Sequence, residues 1–363
     1  MVSRLLHELM GRQLTRLIRI GNRAVGAGCP CFIIAEVGVN HNGQLKIAKE
    51  MIDSAAQAGA DAVKFQTFKA ERLATAEAPK ADYQKKLTHE SESQLEMLRK
   101  LELSESDHRE LARYCRQRKI TFLSTPFDEL SADFLLRLGV PAFKMPSGEI
   151  TNLPFLEHVA RLGKSMIIST GMATLGEVET AVQAVHRAGN RQIALLQCVS
   201  KYPAAPGDAN LRAMLTMSAA FSVPVGFSDH TLGIETAIAA TALGACIVEK
   251  HFTLDKNLPG PDHPASLEPD ELAMMVRSIR NVEAALGHGR KEPAPGEADT
   301  AAASRKSLVA ACDLAAGVLL TKEMVLLKRP GTGLPPVVLP FLLGRKIRER
   351  VAAGTLFRLG MLS

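Results

Sequence analysis

The sequence predicts an α/β fold: a (β/α)₈ TIM barrel followed by a small C-terminal domain. From Phe32 onward one unit recurs eight times, a short apolar segment with a polar or Gly-rich ending, and amphipathic helical patterns fill most of the gaps. Eight such units in roughly 255 residues match a barrel in count and size. No GxGxxG turn follows the first apolar segment, which disfavours an open doubly wound sheet.

The predicted strands are short apolar runs, most of them rich in β-branched residues. They cover residues 32–38, 62–68, 121–127, 142–148, 165–171, 193–199, 224–230 and 246–253. Helical periodicity predicts helices over residues 45–58, 129–138, 153–162, 175–188, 233–243 and 268–286, several with Gly or Asn near their ends. Residues 69–118 form a long insertion after the second strand, in which Asp82, Tyr83 and Gln84 are candidate substrate contacts.

The composition divides the chain into four parts. Residues 1–30 are an N-terminal extension, 31–287 the barrel, 288–304 a linker rich in Pro, Gly and Ala, and 305–363 a second domain. The first twenty residues carry leucines at near-helical spacing among arginines, without the cleavage pattern of a signal peptide. A basic amphipathic helix could touch a membrane, but we expect this stretch to pack against the body of the protein or to fray.

Charge, hydropathy and cysteine usage exclude several classes of protein. The net charge of +6 comes from the C-terminal part, but there is no Trp and no basic-aromatic interleaving, so we expect no nucleic-acid partner. No apolar stretch approaches the roughly 18 residues of a membrane span, so we expect no membrane partner. The six cysteines are scattered and form no CxxC motif, which indicates reduced thiols and a cytoplasmic protein.

Polar side chains gather where the predicted strands end, which is where TIM barrels carry their active sites. The gathered candidates are Glu36, Lys64, Gln66, Thr125, Lys144, Ser147, Glu149, Ser169, Ser200, Tyr202, Ser228, His230 and His251. Lys64 and Lys144 lie inside apolar strands, where a buried ammonium needs an anion. That anion is either a ligand or an internal partner such as Glu36 or Glu149.

Two histidines end consecutive predicted strands. His230 and His251 are twenty-one positions apart, and the ends of neighbouring parallel strands lie side by side, so the two imidazoles are candidates to share one metal ion. Further polar residues surround them in the sequence, namely Ser228, Asp229, Glu249, Lys250, Asp255, Asp262 and His263. A lone histidine at a strand end is more often a structural residue with its hydrogen bonds satisfied than a metal ligand. Two such histidines with polar neighbours favour a functional site.

Several segments together resemble the sialic acid synthase family, including N-acetylneuraminate synthases and N,N'-diacetyllegionaminate synthases. They are IAEVGVNHNG, KFQTFKAERL, FLSTPFD, FKMPSGEITNLP, ISTGMAT, GFSDHTLG, EKHFTLDKNLPGPDH and KRPGTG. The resemblance runs from about Phe32 to the end of the chain. It implies that residues 305–363 are an antifreeze-like (SAF, β-clip) domain.

The resemblance implies an enzyme that condenses phosphoenolpyruvate with the open-chain form of an N-acetylated mannose-type sugar, giving a nine-carbon 2-keto acid and phosphate. It implies His230 and His251 as ligands of Mn²⁺ or Mg²⁺, with Glu36 handling the water that attacks C2. Phosphoenolpyruvate contacts would be Lys64, Lys144, Thr125, Ser147, Ser169 and Ser228. Sugar contacts would be Gln66, Glu149, Tyr202 and Asp262. Ser200 stands where some members have Asn.

The resemblance also implies a homodimer with domain-swapped SAF domains, in which Arg329 reaches the acetamido group bound by the partner subunit. N-acetylmannosamine is the acceptor in the main hypothesis, and 2,4-diacetamido-2,4,6-trideoxymannose is the acceptor in the alternative. A Schiff-base aldolase acting through Lys64 or Lys144, or a non-catalytic sugar-binding protein, are more remote alternatives.

Overall fold

The computed structural model describes residues 17–81, 84–85 and 92–363. The chain divides into two compact units after Gly287. Two predictions fall outside the described residues. They are the substrate contacts at Asp82 and Tyr83 and the amphipathic stretch of the first sixteen residues. Among the helices of the described ranges, none has both the length and the apolar character needed to cross a membrane.

The first unit is an eight-stranded parallel barrel. Its strands are β3 (Phe32–Gly38), β4 (Ala62–Thr67), β5 (Thr121–Pro126), β6 (Ala142–Met145), β7 (Ser165–Ser169), β8 (Ile193–Cys198), β9 (Val225–Asp229) and β10 (Ile247–His251). The order is β5-β4-β3-β10-β9-β8-β7-β6, so the first strand pairs with the last, and β5 and β6 also lie in contact. All eight predicted strands are present.

Helices alternate with these strands. They are α1 (Leu45–Gln57), α2 (Ala70–Leu73), α3 (Gln94–Leu101), α4 (Glu105–Arg118), α5 (Glu129–Leu138), α6 (Leu153–Arg161), α7 (Leu175–Arg187), α8 (Arg212–Phe221), α9 (Glu235–Ala242) and α10 (Pro269–Leu286). Their starts follow from local chemistry: capping boxes at Ser93, Ser104 and Thr174 satisfy backbone N–H groups that the first turn leaves free.

A short hairpin closes the amino-terminal end of the barrel. Strands β1 (Ile18–Ile20) and β2 (Arg23–Val25) pair antiparallel, and their apolar side chains join the core inside the barrel. The Ser165 hydroxyl at the start of β7 donates to the carbonyl of Arg19 at 2.6 Å. Of the first twenty residues, the structure describes 17–20. Residues 18–20 pack on the barrel core, and they form a strand and not part of a helix, because alternation and a Gly-Asn turn take over there.

The second unit has its own small core. It contains β11 (Ser307–Ala310) and β12 (Val325–Lys328), which pair antiparallel, and the short helix α12 (Leu339–Leu342). Buried side chains such as Leu308, Leu320 and Phe357 pack together in it. The segment 288–304, predicted as a linker, holds a 3-10 turn (Pro295–Glu297) and the helix α11 (Ala298–Ser304).

Candidate active site

The carboxyl ends of the barrel strands border a cavity of about 440 Å³. Thirteen of the predicted site residues line it: Glu36, Lys64, Gln66, Thr125, Lys144, Ser147, Ser169, Ser200, Tyr202, Ser228, His230, His251 and Asp262. They come together because every parallel strand delivers its last inward-facing side chains to the same end of the barrel. Gln84, from the insertion, also lines this cavity.

Two predicted residues are not among the side chains that line the cavity. Pro146 follows β6, and the chain then enters a 3-10 turn over Ser147–Glu149, which leaves Glu149 beside Asn152, whose Nδ2 donates to it at 2.7 Å. The sugar contact at Glu149 stays a prediction, and the position of this side chain after the turn gives it no support. Arg329 belongs to the second unit, where it is exposed and donates through Nε to the Ser304 carbonyl at 3.0 Å.

Four buried charges form the floor of the cavity. Lys64 Nζ lies 2.6 Å from Glu36 Oε2 and 3.9 Å from Glu249 Oε2, and Lys144 Nζ lies 3.4 Å from Glu249 Oε1. The internal ion pair that the sequence left open is thus present for Lys64 and Glu36. Because the two carboxylates balance the two ammonium groups, burial of the lysines does not by itself require a bound anion.

Burial and charge shift the acidities of this group. Burial raises the pKa of Glu36 to about 7, against the opposing attraction of Lys64. Burial also lowers the pKa of Lys144, with Glu249 opposing it, whereas Glu249 and Glu36 together outweigh burial and raise the pKa of Lys64. A carboxyl group whose pKa lies near neutrality, next to an ammonium group, is suited to exchange protons with a ligand.

Hydroxyl groups surround the two lysines. Thr125 Oγ1 accepts from Lys64 Nζ at 3.0 Å, and Ser169 Oγ accepts from Lys144 Nζ at 2.7 Å. Ser147 Oγ accepts from the backbone N–H of Gly171 at 2.9 Å. A Cβ at position 171 would lie 2.3 Å from Ser200 Oγ, so only glycine lets these hydroxyls approach the backbone.

The two histidines lie side by side, as their strand positions predict. Their ring centroids are 5.3 Å apart, and the Tyr202 ring lies 4.1 Å from that of His230. His230 Nδ1 is 2.7 Å from the Val199 carbonyl, so this nitrogen carries a hydrogen and Nε2 is the ring nitrogen left for a ligand. His251 Nδ1 is buried without a hydrogen-bond partner.

These rings fit a divalent cation as a pair of nitrogen ligands. Burial, followed by the neighbouring His230, lowers the pKa of His251 well below its usual value, which keeps the ring in the neutral form that binds metals. Asp262 Oδ2 lies 4.0 Å from His251 Nδ1. In the part of the chain that the structure describes, no three His, Cys, Asp or Glu side chains form a complete ligand set, so ligand or water oxygens would fill the remaining positions.

Two protein families match this chain in sequence. The model of the NeuB family matches residues 51–291, and the SAF domain model matches residues 305–363. The chain belongs to the NeuB family. The predicted resemblance and the predicted barrel with a C-terminal SAF domain are both confirmed.

Named relatives within the NeuB family lie close in sequence. The N,N'-diacetyllegionaminic acid synthase of Legionella pneumophila is 49% identical over 92% of this chain and 95% of its own length. The enzyme of the same name from Campylobacter jejuni is 50% identical over 84% of this chain and 91% of its own. A solved N-acetylneuraminic acid synthetase from Leptospira borgpetersenii, in complex with citrate, is 36% identical with a TM-score of 0.70, covering 79% of this chain and 95% of that one.

Among the cavity residues to which the sequence analysis gave no role are Glu249 and Cys198. Glu249 bridges both lysines, and the Cys198 thiol lies 3.8 Å from His230 Nδ1. The sequence placed Glu249 only in the polar cluster around the histidines, although it is a charged residue inside the apolar run CIVEKHFT, the same signal that singled out Lys64 and Lys144. Cys198 carried no such signal, because a cysteine inside a strand is ordinary core.

Proposed function

We propose that this chain is an N,N'-diacetyllegionaminate synthase, which condenses phosphoenolpyruvate with 2,4-diacetamido-2,4,6-trideoxymannose. The observation that carries the choice of acceptor is identity of 49% and 50% to two relatives of that name, against 36% to the solved N-acetylneuraminic acid synthetase. This favours the alternative of the sequence analysis over its main hypothesis of an N-acetylneuraminate synthase.

The proposed phosphoenolpyruvate site is the floor of the cavity. Lys64 and Lys144 are its ammonium groups, and the hydroxyls of Thr125, Ser169 and Ser147 stand beside them. A carboxylate and a phosphate together need several charge-assisted donors, which this set supplies. On binding, the ligand would take over the contacts that Glu36 and Glu249 now make with the two lysines.

The proposed metal, Mn²⁺ or Mg²⁺, would be held by His230 and His251. When bound, a divalent cation supplies Lewis-acid polarisation of the aldehyde oxygen of the acceptor. Val199 fixes the tautomer of His230 through the 2.7 Å contact with its Nδ1. This contact orients the His230 ring before any ligand arrives.

In the proposed reaction the C2–C3 π electrons of phosphoenolpyruvate form the bond from C3 to the aldehyde carbon. The aldehyde oxygen takes a proton from solvent, and C2 is left with positive charge. Water adds to C2 and gives a proton to Glu36, whose pKa of about 7 suits a base that must exist deprotonated near neutrality. The new C2 hydroxyl gives its proton to the departing phosphate as the C2–O bond breaks, which leaves the keto group and inorganic phosphate.

The proposed assembly is a cytoplasmic homodimer with swapped SAF domains, in which Arg329 reaches the partner subunit's acceptor. In support, Arg329 is exposed, and within its own unit its guanidinium donates one hydrogen bond, from Nε to the Ser304 carbonyl. The planar guanidinium therefore keeps donors for an acetamido oxygen. The six free cysteines support a reducing compartment.

The testing experiment offers phosphoenolpyruvate with each of the two acceptors, with and without Mn²⁺, and reads phosphate release and product mass. We expect metal-dependent phosphate release with the diacetamido sugar at the higher kcat/KM. Borohydride trapping of a sugar on Lys64 or Lys144, without need for metal, would instead identify a Schiff-base aldolase. Binding of sugar without product would identify a sugar-binding protein.

A further inference from the structure

One wall of the cavity is apolar and is built separately from the barrel cores. The described side chains that form it are Val39, Met97, Leu98, Leu101 and Phe127. They belong to a small cluster of their own with Phe68 and Leu73. The wall is therefore separate from the hydrophobic cores that hold the barrel together.

Local structure makes this wall firm. Helix α3 begins at a complete capping box between Ser93 and Glu96, which fixes its first turn. Phe127 follows β5 directly, and its ring meets the ring of Phe68 edge to face at 6.0 Å. Met97 and Leu101 are almost fully buried, which anchors the helix, whereas Leu98 and Phe127 are only half-buried and keep surface on the cavity side.

The charges of the cavity lie elsewhere. Among the described residues that line it, the ammonium and guanidinium groups are those of Lys64 and Lys144, and both are paired with carboxylates on the floor. Gln84 and Gln94 also line the cavity, but among the described side chains a ligand group that meets the wall finds methyl and aromatic surface and no cation. Such a surface favours apolar substituents and disfavours a phosphate, whose desolvation would stay uncompensated.

We propose that this apolar wall, through Leu98 and Phe127, selects acceptors by the apolar substituents at the end of the sugar remote from the aldehyde. It would contact a deoxy methyl group at C6 and the methyl of a second acetamido group. The acceptor class is then a deoxygenated, unphosphorylated acetamido sugar. This inference rests on the proposed function, because it assumes that the cavity holds phosphoenolpyruvate on its floor.

The test compares two acceptors that differ by one hydroxyl group, N-acetylmannosamine and its 6-deoxy form. The wild-type protein should prefer the 6-deoxy acceptor in kcat/KM. Leu98→Gln should reduce that preference about tenfold, since one methylene in an apolar pocket changes kcat/KM by about 10- to 200-fold. The KM for phosphoenolpyruvate should stay unchanged, which a general loosening of the site would not allow.

Matched variants separate selection from stability. Leu98→Met keeps the apolar surface and should keep the preference, and Arg99→Gln, on the exposed side of the same helix, should leave all constants unchanged. Phe127→Tyr adds a hydroxyl to the same wall and gives a second reading if Leu98→Gln does not fold. An unchanged acceptor ratio in folded Leu98→Gln or in Phe127→Tyr overturns the inference, whereas a wild type that turns over neither sugar nor the diacetamido acceptor overturns the proposed function.

Discussion

Two groups of buried charges lie on the same two strands, β9 and β10, but on opposite faces. On the outer face, Lys250 Nζ lies 2.7 Å from Asp229 Oδ2 and donates to the Thr231 carbonyl at 2.5 Å, and neither side chain of the ion pair is exposed. Asp229 Oδ1 accepts from the N–H and hydroxyl of Thr231 at 2.9 and 2.8 Å. This outer pair is satisfied within the chain.

The inner face is different. His230 follows Asp229, and Glu249 and His251 flank Lys250, so these three side chains face the cavity. Both His251 Nδ1 and Glu249 Oε2 lack a hydrogen-bond partner. Buried polar atoms without partners are rare, and they point to a ligand. The comparison teaches that burial of a charge does not reveal its role, whereas the completeness of its contacts does.

The largest expected effect comes from removing an imidazole on the inner face. His251→Ala should abolish condensation and reduce Mn²⁺ binding while the far-ultraviolet circular dichroism stays that of the wild type. Phosphate release and the electron paramagnetic resonance of free Mn²⁺ measure the two losses. His158→Ala, a histidine that pairs with Asp133 away from the cavity, is the control. Metal-dependent turnover that survives in His251→Ala would remove the metal assignment.

The next effect separates two carboxylates, Glu36 and Glu149, that the sequence placed among the same strand-end candidates. Glu36→Gln should lower kcat by about 10²- to 10⁴-fold, the range of general acid–base catalysis, because the amide cannot accept the proton of the attacking water. Glu149→Gln should change kcat little, since this side chain does not line the cavity. Steady-state kinetics with saturating phosphoenolpyruvate decide between them, and equal losses would contradict the assignment of Glu36.

The outer pair should affect stability and not chemistry. Lys250→Met should lower the free energy of unfolding by about 3–5 kcal/mol, because Asp229 would remain buried without its cation. The double variant Asp229→Leu with Lys250→Met should recover most of that loss. Lys144→Met should cost less, since Glu249 keeps Lys64 and the Ser228 hydroxyl at 3.1 Å. Urea denaturation measures all three, and a larger loss in Lys144→Met would reverse the comparison.

The smallest expected effect concerns the second unit. Arg329→Ala should raise the KM for the acceptor about tenfold, the cost of a lost hydrogen bond from a charged donor, and leave the KM for phosphoenolpyruvate unchanged. Initial rates with each substrate varied in turn provide both constants. An equal rise in both would show that Arg329 does not act at the sugar.

The fold could be predicted because apolar runs and helical periodicity are local signals. Each strand of the barrel is a short apolar segment, so its position follows from the sequence alone. The hairpin from Ile18 to Val25 was missed, because the leucine spacing upstream suggested a helix and the alternation covers only three residues on each side of the Gly-Asn turn.

The sequence could predict which residues line the site, but not which of them form ion pairs and hydrogen bonds with one another. Strand-end position is enough to place Lys64, His230 and His251 at one cavity. It does not show which partner a buried charge has: Glu249 bridges both lysines, whereas Asp229 and Lys250, included in the same polar cluster, turn to the outer face. These outcomes depend on side-chain direction and on turns such as the one after Pro146, which local patterns do not specify.

The most direct test is the stabilisation that phosphoenolpyruvate gives to three proteins, measured as the change in the free energy of unfolding. At a ligand concentration one hundred times Kd, the wild type and Lys250→Met should each gain about 2.7 kcal/mol, because their inner face is intact. Lys144→Met should gain none at that concentration. A full gain in Lys144→Met, or its loss in Lys250→Met, would contradict the division between an inner face that binds ligand and an outer face that holds the fold.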